Sequence, residues 1–194
     1  MKTIPLPPLC LTLTPPWPQA IAYAEKRLEN RHSSVVRRIG AYRGMIGLSQ
    51  SKNWDANEAI DACNGILGDR RLSFETRKAF ARELDVCATG PEDLSRVKPM
   101  AGKLWLVADL VEILSSDKCE GADWHIPGQW GLILGQVYKV EPVACMGGQG
   151  AWRPQWCPKC KKVVADSHGS ACKPCKTRLA PATEAPVLRV VREL

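Results

Sequence analysis

Two Cys-x-x-Cys pairs near the end of the chain constrain its folding more than any other feature. Cys157 and Cys160 form the first pair, and Cys172 and Cys175 form the second after eleven intervening residues. Two residues between paired cysteines allow a tight turn to direct both thiolates at one ion, and two such turns complete a tetrahedral sulfur shell. The spacing therefore predicts one zinc ion, which is structural because four thiolates leave no coordination position for water or substrate.

An iron-bound site, a redox-active dithiol and a pair of disulfides are the alternatives for these cysteines. The chain has nine cysteines, an odd number that does not suit a closed disulfide framework. Its proline-rich N-terminus is a poor export signal, so a reducing compartment, the cytoplasm, is expected. No apolar run approaches the roughly 20 residues of a membrane-spanning helix, and no membrane partner is expected. His168 lies between the pairs and could replace one cysteine, although four thiolates are available without it.

The positive charge of the chain is concentrated around these cysteines. Of a net charge of +7, residues 153–194 carry +6. A rigid metal-bound loop with many cations suits contact with nucleic-acid phosphates, although solvated lysines around a small metal site account for the same composition. Trp156 is the only aromatic residue beside this loop and hence its only candidate for stacking on a base. The cations around the pairs are Lys159, Lys161, Lys162, Lys173, Lys176 and Arg178.

The preceding residues predict an α+β fold in which strands outnumber helices. Strands are expected over 27–31, 43–49, 103–114 and 130–143; the third is apolar enough to be covered on both faces, and Pro142 should end the fourth. Helices are expected over 19–26 and twice within 55–98, where Gly90-Pro91 breaks the chain. Long connections between the strands favour a compact antiparallel or mixed barrel with helices at its rim.

The second helix within 55–98 should begin after Ser73, whose hydroxyl can cap it. Phe74, Ala81 and Leu84 are expected to form its apolar face. Three parts of the chain follow from these patterns: a barrel domain over residues 1–153, a zinc ribbon over 154–180, and a linker with a tail over 181–194. The tail could dock as a strand or as a helix on either module.

Four segments, in order, resemble ASCH-domain proteins, a family of PUA-like barrels. Residues 11–17 end in Pro16-Trp17 and are followed by Lys26-Arg27-Leu28-Glu29-Asn30-Arg31, which is similar to the Pro-Trp step, helix and Lys-x-x-Glu-x-Arg strand that open this family. Residues 43–52, 103–114 and 130–152 look like its later strands and last loop. The resemblance covers roughly residues 10–153 and implies a barrel with peripheral helices and a cleft at one end.

In relatives this cleft holds RNA, a nucleotide or a modified base. A carboxylate can accept from an exocyclic amine, a guanidinium can bind phosphate and an indole can stack on a base. An ordinary surface ion pair between Glu29 and Arg31, with Trp17 in the core, is the alternative explanation of the same residues. By resemblance, the cleft is lined by Trp17, Lys26, Glu29, Arg31, Ser51, Lys52, Gln149 and Gly150.

The favoured function is therefore binding of RNA or single-stranded DNA, with the cleft holding a base or nucleotide and Lys159, Lys161, Lys162 and Lys176 contacting phosphates. One alternative is a hydrolase acting on a modified nucleoside or RNA, with Lys26 and Glu29 as its candidate catalytic residues. Glu29 stands where amidohydrolase relatives have a nucleophilic threonine, which disfavours that chemistry. The other alternative is an adaptor that binds a protein through the ribbon and the tail.

Overall fold

A computed structural model describes residues 2–84 and 98–194 and gives them an α+β fold with one large mixed sheet, four helices and a C-terminal four-cysteine cluster. The helices are α1 Trp17–Tyr23, α2 Ser33–Ile39, α3 Ala56–Gly68 and α4 Phe74–Leu84. The strands are β1 Thr3–Ile4, β2 Cys10–Leu13, β3 Leu28–Arg31, β4 Gly44–Gln50, β5 Lys103–Leu114, β6 Trp130–Met146, β7 Ala151–Trp152, β8 Pro154–Cys157, β9 Lys162–Ala165, β10 Ala180–Pro181 and β11 Leu188–Glu193. In these ranges no helix is both long and apolar enough to cross a membrane.

The sheet is organised around β6, a strand of 17 residues. β5 pairs with β6 over residues 131–144. Three further strands also pair with β6: β3 with its beginning, β11 with its middle and β9 with its end. The main path runs β10-β8-β9-β6-β5-β4-β2-β7, with β2 parallel to β4 and β6 parallel to β9. Its end strands, β10 and β7, are not paired with each other among the described residues, so the sheet is not closed and the barrel stays a prediction.

The prediction that Pro142 ends the fourth strand is wrong, because β6 continues to Met146. The register with β5 explains why the ladder tolerates a proline. Leu104 lies opposite Val143 and Leu106 lies opposite Lys139, so three residues of β6 face only one of β5. A proline in such a bulge removes no regular ladder hydrogen bond.

The prediction that the third strand is covered on both faces is confirmed for residues 104–108 of β5, which are all buried, but is wrong for its end, where Val111 and Glu112 are exposed. Trp105 and Leu106 belong to one apolar cluster, and Leu104 and Val107 belong to a second. The second cluster, called the ribbon-side cluster below, also contains Ile4, Trp156, Val163, Ala165 and Leu188. The ribbon therefore shares a core with the sheet, and the tail docks as strand β11 on β1 and β6.

The helices between β4 and β5 follow the predicted pattern with one correction. The Ser73 hydroxyl accepts a hydrogen bond of 3.0 Å from the backbone N–H of Thr76, so the predicted cap is present. Phe74 does not belong to the apolar face, however, because it is 67% exposed. The buried residues of α4 are Thr76, Phe80 and Leu84, which recur at intervals of four. The predicted break at Gly90-Pro91 lies outside the described residues.

Asp55→Ala is expected to lower the stability of the chain by about 1 kcal/mol, or roughly 2–4 °C in melting temperature. The reason is that Asp55 Oδ1 caps α3 by accepting hydrogen bonds from the N–H groups of Asn57 at 2.8 Å and Glu58 at 3.0 Å. Asp61→Ala on the exposed side of α3 is the matched control and should leave the melting temperature unchanged or slightly higher. Equal losses in both variants would show that the cap contributes nothing.

Candidate functional site

The four cysteines of the ribbon form one cluster in which all four sulfur atoms lie within 4.8 Å of one another. The Sγ atoms of Cys157 and Cys175 are 3.5 Å apart, and those of Cys172 and Cys160 are 3.8 Å apart. A tetrahedral shell of sulfurs about 2.3 Å from a central ion has edges of about 3.8 Å. All four are free thiols at these separations, so the spacing fits a metal ion and not a pair of disulfides.

The two cysteine turns have the same backbone design. The residue after each pair, Lys161 or Lys176, has a positive φ, 52° in the first turn and 59° in the second. A left-handed residue at this point reverses the chain so that both cysteines of a pair face the same centre. In the first turn the N–H of Cys160 donates to Cys157 Sγ at 3.4 Å. In the second, the N–H of Lys176 donates to the carbonyl of Cys172 at 2.7 Å.

The pKa values of these sulfurs depend on one another. Hydrogen bonds from the side chain and the backbone of Thr177 lower the pKa of Cys175 to about 6. The neighbouring Cys175 sulfur, followed by burial, raises the pKa of Cys160 to about 12. Negative charge on one sulfur thus opposes ionisation of another, and a bound cation removes this conflict. The residues present can therefore hold one metal ion.

His168 does not join the cluster. Its Nε2 lies 3.3 Å from the carbonyl oxygen of Gly147, in the loop that follows β6.

The cations around the cluster form no ion pair with a carboxylate in the described part of the chain. Of the four predicted phosphate contacts, Lys159, Lys161 and Lys176 are exposed and Lys162 is half-buried. Trp156 is buried in the ribbon-side cluster, so its predicted availability for stacking is wrong.

A second group of predicted residues converges on a cavity of about 240 Å³, called the charged cavity below. Trp17, Lys26, Glu29 and Arg31 all line it. Lys26 comes directly after the turn that follows α1, where its N–H donates to the Ala20 carbonyl at 3.2 Å. Glu29 and Arg31 alternate along β3 and therefore point to the same side of the strand. Local chain geometry thus brings the Lys-x-x-Glu-x-Arg motif together.

These charges form a buried, connected group. Lys26 Nζ donates to Glu29 Oε2 at 2.8 Å and to the carbonyl of Leu28, and Arg31 Nη2 lies 3.1 Å from Glu29 Oε1. The side chains of Lys26, Glu29 and Arg31 are 2%, 7% and 17% exposed, so this is not an ordinary surface ion pair. Two cations and one carboxylate leave one positive charge in excess. Arg31 Nε is buried without a hydrogen-bond partner in the described structure.

Aromatic side chains supply the other wall of the charged cavity. Lys26 Nζ lies 5.7 Å from the centroid of the Trp17 ring. Trp17 also packs against a cluster of buried residues from the helices, among them Cys63 and Phe80, so the alternative that placed it in the core is correct for part of its surface. Trp124 contributes a second indole, from the loop between β5 and β6. A cavity with two indoles and a fixed carboxylate and guanidinium can hold a flat polar ring.

Sequence reasoning did not identify Trp124 or the residues that place it. Asn30 Nδ2 donates to the Trp124 carbonyl at 2.6 Å, and Asn30 Oδ1 accepts from the Ile126 N–H at 2.9 Å. Trp124 has a φ of 68°, a left-handed turn conformation. Ile126 and Gln129 complete this rim of the cavity. The only sequence signal was the position of Asn30 inside the motif strand.

The predicted cleft is divided in the structure. Ser51 and Lys52 line a different cavity at the ends of β2 and β4, called the second cavity below. Gln149 is exposed and lines neither cavity. Gly150 packs near Val35 and its carbonyl accepts a 3.2 Å hydrogen bond from the N–H of Thr12. Trp17, Lys26, Glu29 and Arg31 are therefore the members of the predicted cleft that the fold brings together.

Comparison with known proteins adds no family assignment to this geometry. No protein-family model matches the chain, and no curated protein matches it.

Proposed function

We propose that this protein binds RNA or single-stranded DNA, with one base in the charged cavity and phosphates on the ribbon. The observation that carries the proposal is the convergence of Trp17, Lys26, Glu29 and Arg31 on one partly open cavity. Glu29 is placed to accept from an exocyclic amine, and the excess positive charge suits a phosphorylated ligand. The indoles of Trp17 and Trp124 offer stacking surfaces, and a cavity of about 240 Å³ suits an unpaired base.

We propose further that residues 1–153 form an ASCH-like, PUA-like barrel domain with an inserted helical stretch at about 55–98. Support comes from the Lys26-x-x-Glu29-x-Arg31 motif, whose three side chains meet in one cavity next to the Pro16-Trp17 step. The order of the elements, with helix α1 between β2 and β3, agrees with the opening expected from the resemblance. We also propose that residues 154–180 form a zinc ribbon, that residues 181–194 form a linker and tail, and that the protein is located in the cytoplasm.

The ion of the four-cysteine cluster is proposed to be zinc in a structural role. Four cysteine sulfurs at tetrahedral spacing suit Zn²⁺ and leave it no position for a substrate. Its proposed part in nucleic-acid binding is therefore indirect: the ion holds the turns that carry Lys161 and Lys176.

The charge arrangement favours binding over hydrolysis. Both oxygens of the Glu29 carboxylate are engaged, one by Lys26 and the other by Arg31. Each oxygen keeps a lone pair that can accept a hydrogen bond, whereas taking up a proton as a general base would break these two ion pairs. Lys26 in turn donates to both Glu29 and the Leu28 carbonyl, which disfavours a role as a nucleophilic amine.

The affinity for a single-stranded oligonucleotide is expected to fall steeply with salt, and the triple variant Lys161→Gln, Lys162→Gln, Lys176→Gln should flatten that dependence. Each lysine that no longer neutralises a phosphate lowers the slope of log K against log salt by about 0.7 for single strands, so the three substitutions together lower it by about 2. Fluorescence anisotropy with labelled RNA and DNA oligonucleotides over a salt series measures both the affinity and the slope.

The control is a triple variant of equal charge change at exposed positions away from the ribbon: Arg70→Gln, Lys78→Gln and Lys118→Gln. It should keep the slope of the unmodified protein. Failure of both RNA and single-stranded DNA to bind at low salt would refute the proposed function. A stoichiometric protein that co-purifies without nucleic acid would instead favour the adaptor.

A further inference from the structure

A second cavity, of about 280 Å³, lies where the sheet meets the ribbon. Thr12, Gln50 and Met146 line it from the carboxyl ends of β2, β4 and β6, and His168 lines it just after β9. β2 is parallel to β4, β6 is parallel to β9, and β5 is antiparallel to β4 and β6. Four strands thus run in one direction and end at this cavity, an arrangement that recurs at ligand sites in parallel sheets.

The lining of the second cavity has basic side chains and no acidic ones. Its lining contains Lys52 and His168 but no aspartate or glutamate. Within the described ranges Lys52 makes no hydrogen bond or ion pair, so its ammonium group has no protein counter-charge. An uncompensated cation beside hydroxyl and amide side chains favours an anionic ligand.

Two glycines keep this space open. A Cβ at position 102 would collide with the side chain of Lys52, which lies across Gly102. A Cβ at position 147 would lie 2.7 Å from Thr12 Oγ1 and 3.4 Å from Ser49 Oγ. Side chains at these two positions would therefore displace Lys52 or crowd the hydroxyls. Glycine at both positions therefore leaves room for the polar side chains of the cavity.

The pKa of the Cys145 thiol depends on groups that line the same cavity. Burial raises the pKa of this thiol, whereas the Ser49 hydroxyl, the Gly147 N–H and the Lys52 ammonium act in the opposite direction. Burial dominates, so the thiol stays neutral and does not compensate Lys52. The Lys52 charge that favours a thiolate here would also favour an anionic ligand in the cavity.

Hydroxyl groups on the cavity wall are oriented by a chain of hydrogen bonds. Trp152 Nε1 donates to Thr12 Oγ1 at 3.0 Å, and Ser49 Oγ donates to the Leu11 carbonyl at 3.2 Å. The Thr12 and Ser49 oxygens lie 3.2 Å apart. Because the Ser49 proton is used by Leu11, Thr12 donates its own proton to Ser49, and the Lys52 ammonium is left to donate to a ligand oxygen.

We propose that the second cavity binds a phosphate group, with Lys52 as its charge partner and hydrogen-bond donor. His168 holds the ribbon side of the cavity in place through the Gly147 carbonyl. This site does not require a base in the charged cavity, so it does not depend on the proposed function. The phosphate could belong to a small phosphomonoester or to the backbone of a polynucleotide.

Titration of the ¹⁵N-labelled, metal-loaded full chain with inorganic phosphate at constant ionic strength tests the site. Saturable shifts of the Gly102 and Gly147 amide signals are expected, and sodium chloride alone should not produce them. Lys52→Gln should raise the dissociation constant about tenfold, since it removes a charged hydrogen bond, and Lys52→Arg should recover much of the affinity. Lys118→Gln, a change at an exposed lysine outside the cavity, should behave as the unmodified protein.

A second arm uses a single-stranded oligonucleotide in place of phosphate. Shifts of the same amides that weaken in Lys52→Gln and are reversed by excess phosphate would assign the group to a polynucleotide backbone. Binding of phosphate without any effect of the oligonucleotide would assign it to a small phosphate compound, and would stand even if the proposed function fails. Absence of saturable shifts with both ligands, or equal affinity in the unmodified protein and Lys52→Gln, would overturn the proposal.

Discussion

Cys172→Ser is expected to lose the metal ion proposed for the four-cysteine cluster and to lower the melting temperature by at least about 10 °C. A structural zinc ion contributes on the order of 10 kcal/mol to the folding of a small domain, and the remaining three sulfurs would leave its coordination shell open. The measurements are the metal content per chain after gel filtration and the thermal unfolding curve, recorded on the same preparation.

The effect should extend beyond the ribbon because the ribbon shares a core with the sheet. Val163 of β9 lies opposite Cys145 of β6 in a parallel pair. Trp156 and Val163 are buried in the same cluster as Leu104 and Val107 of β5. Loss of the ion therefore removes the support of one face of the central strands, and the second cavity, which includes His168, should be lost with it.

Cys63→Ala is the matched control for the cysteine substitution. Cys63 is fully buried between helices, and burial raises the pKa of its thiol to about 12, so it is neither a metal ligand nor a reactive thiol. This variant should keep one metal ion per chain even if packing in α3 suffers. A Cys172→Ser protein that retains its ion and its unfolding curve would contradict a four-sulfur metal site.

The parts of the site that sequence could predict are those set by local geometry. Two residues between cysteines are enough to direct two sulfurs at one centre, so the convergence of Cys157 and Cys160 follows from spacing alone. The alternation of a strand is likewise enough to place Glu29 and Arg31 on one side. In both cases the decisive contacts join residues that are close in sequence.

The parts that sequence could not predict depend on contacts between distant residues. Trp124 lies at the charged cavity in a loop that Asn30 holds from 94 residues away. Lys52 was expected in the same cleft as Trp17, but successive residues of β2 face opposite sides of the sheet. Thr12 lines the second cavity and Leu13 lines the charged cavity, so the strand itself separates them. Trp156 is buried in the ribbon-side cluster, which joins the ribbon to Leu104 and Val107 of β5, and no local pattern encodes that association.

Glu29→Gln is expected to destabilise the protein by about 3–5 kcal/mol, whereas Lys26→Met should cost considerably less. The reason is that the two substitutions leave different numbers of buried charges without a partner. Among the described residues, Glu29 is the carboxylate that contacts both Lys26 and Arg31, so the glutamine variant leaves two buried cations without this counter-charge. Lys26→Met leaves Glu29 and Arg31 as a balanced pair 3.1 Å apart and fills the site of the lysine stem with an apolar side chain of similar length.

Chemical denaturation of both variants measures this difference, since the free energy of unfolding is compared at a single pH and salt concentration. The double variant Lys26→Met, Glu29→Gln separates charge from packing: it leaves Arg31 alone and should be more stable than Glu29→Gln, because one of the two uncompensated cations is gone. Asp109→Asn, at a half-buried carboxylate on β5 outside both cavities, controls for the loss of a negative charge and should change stability by less than about 1 kcal/mol. If Lys26→Met were as destabilising as Glu29→Gln, the carboxylate would not be the group that holds the two cations in the cavity, and the electrostatic basis of the proposed base-binding site would fail.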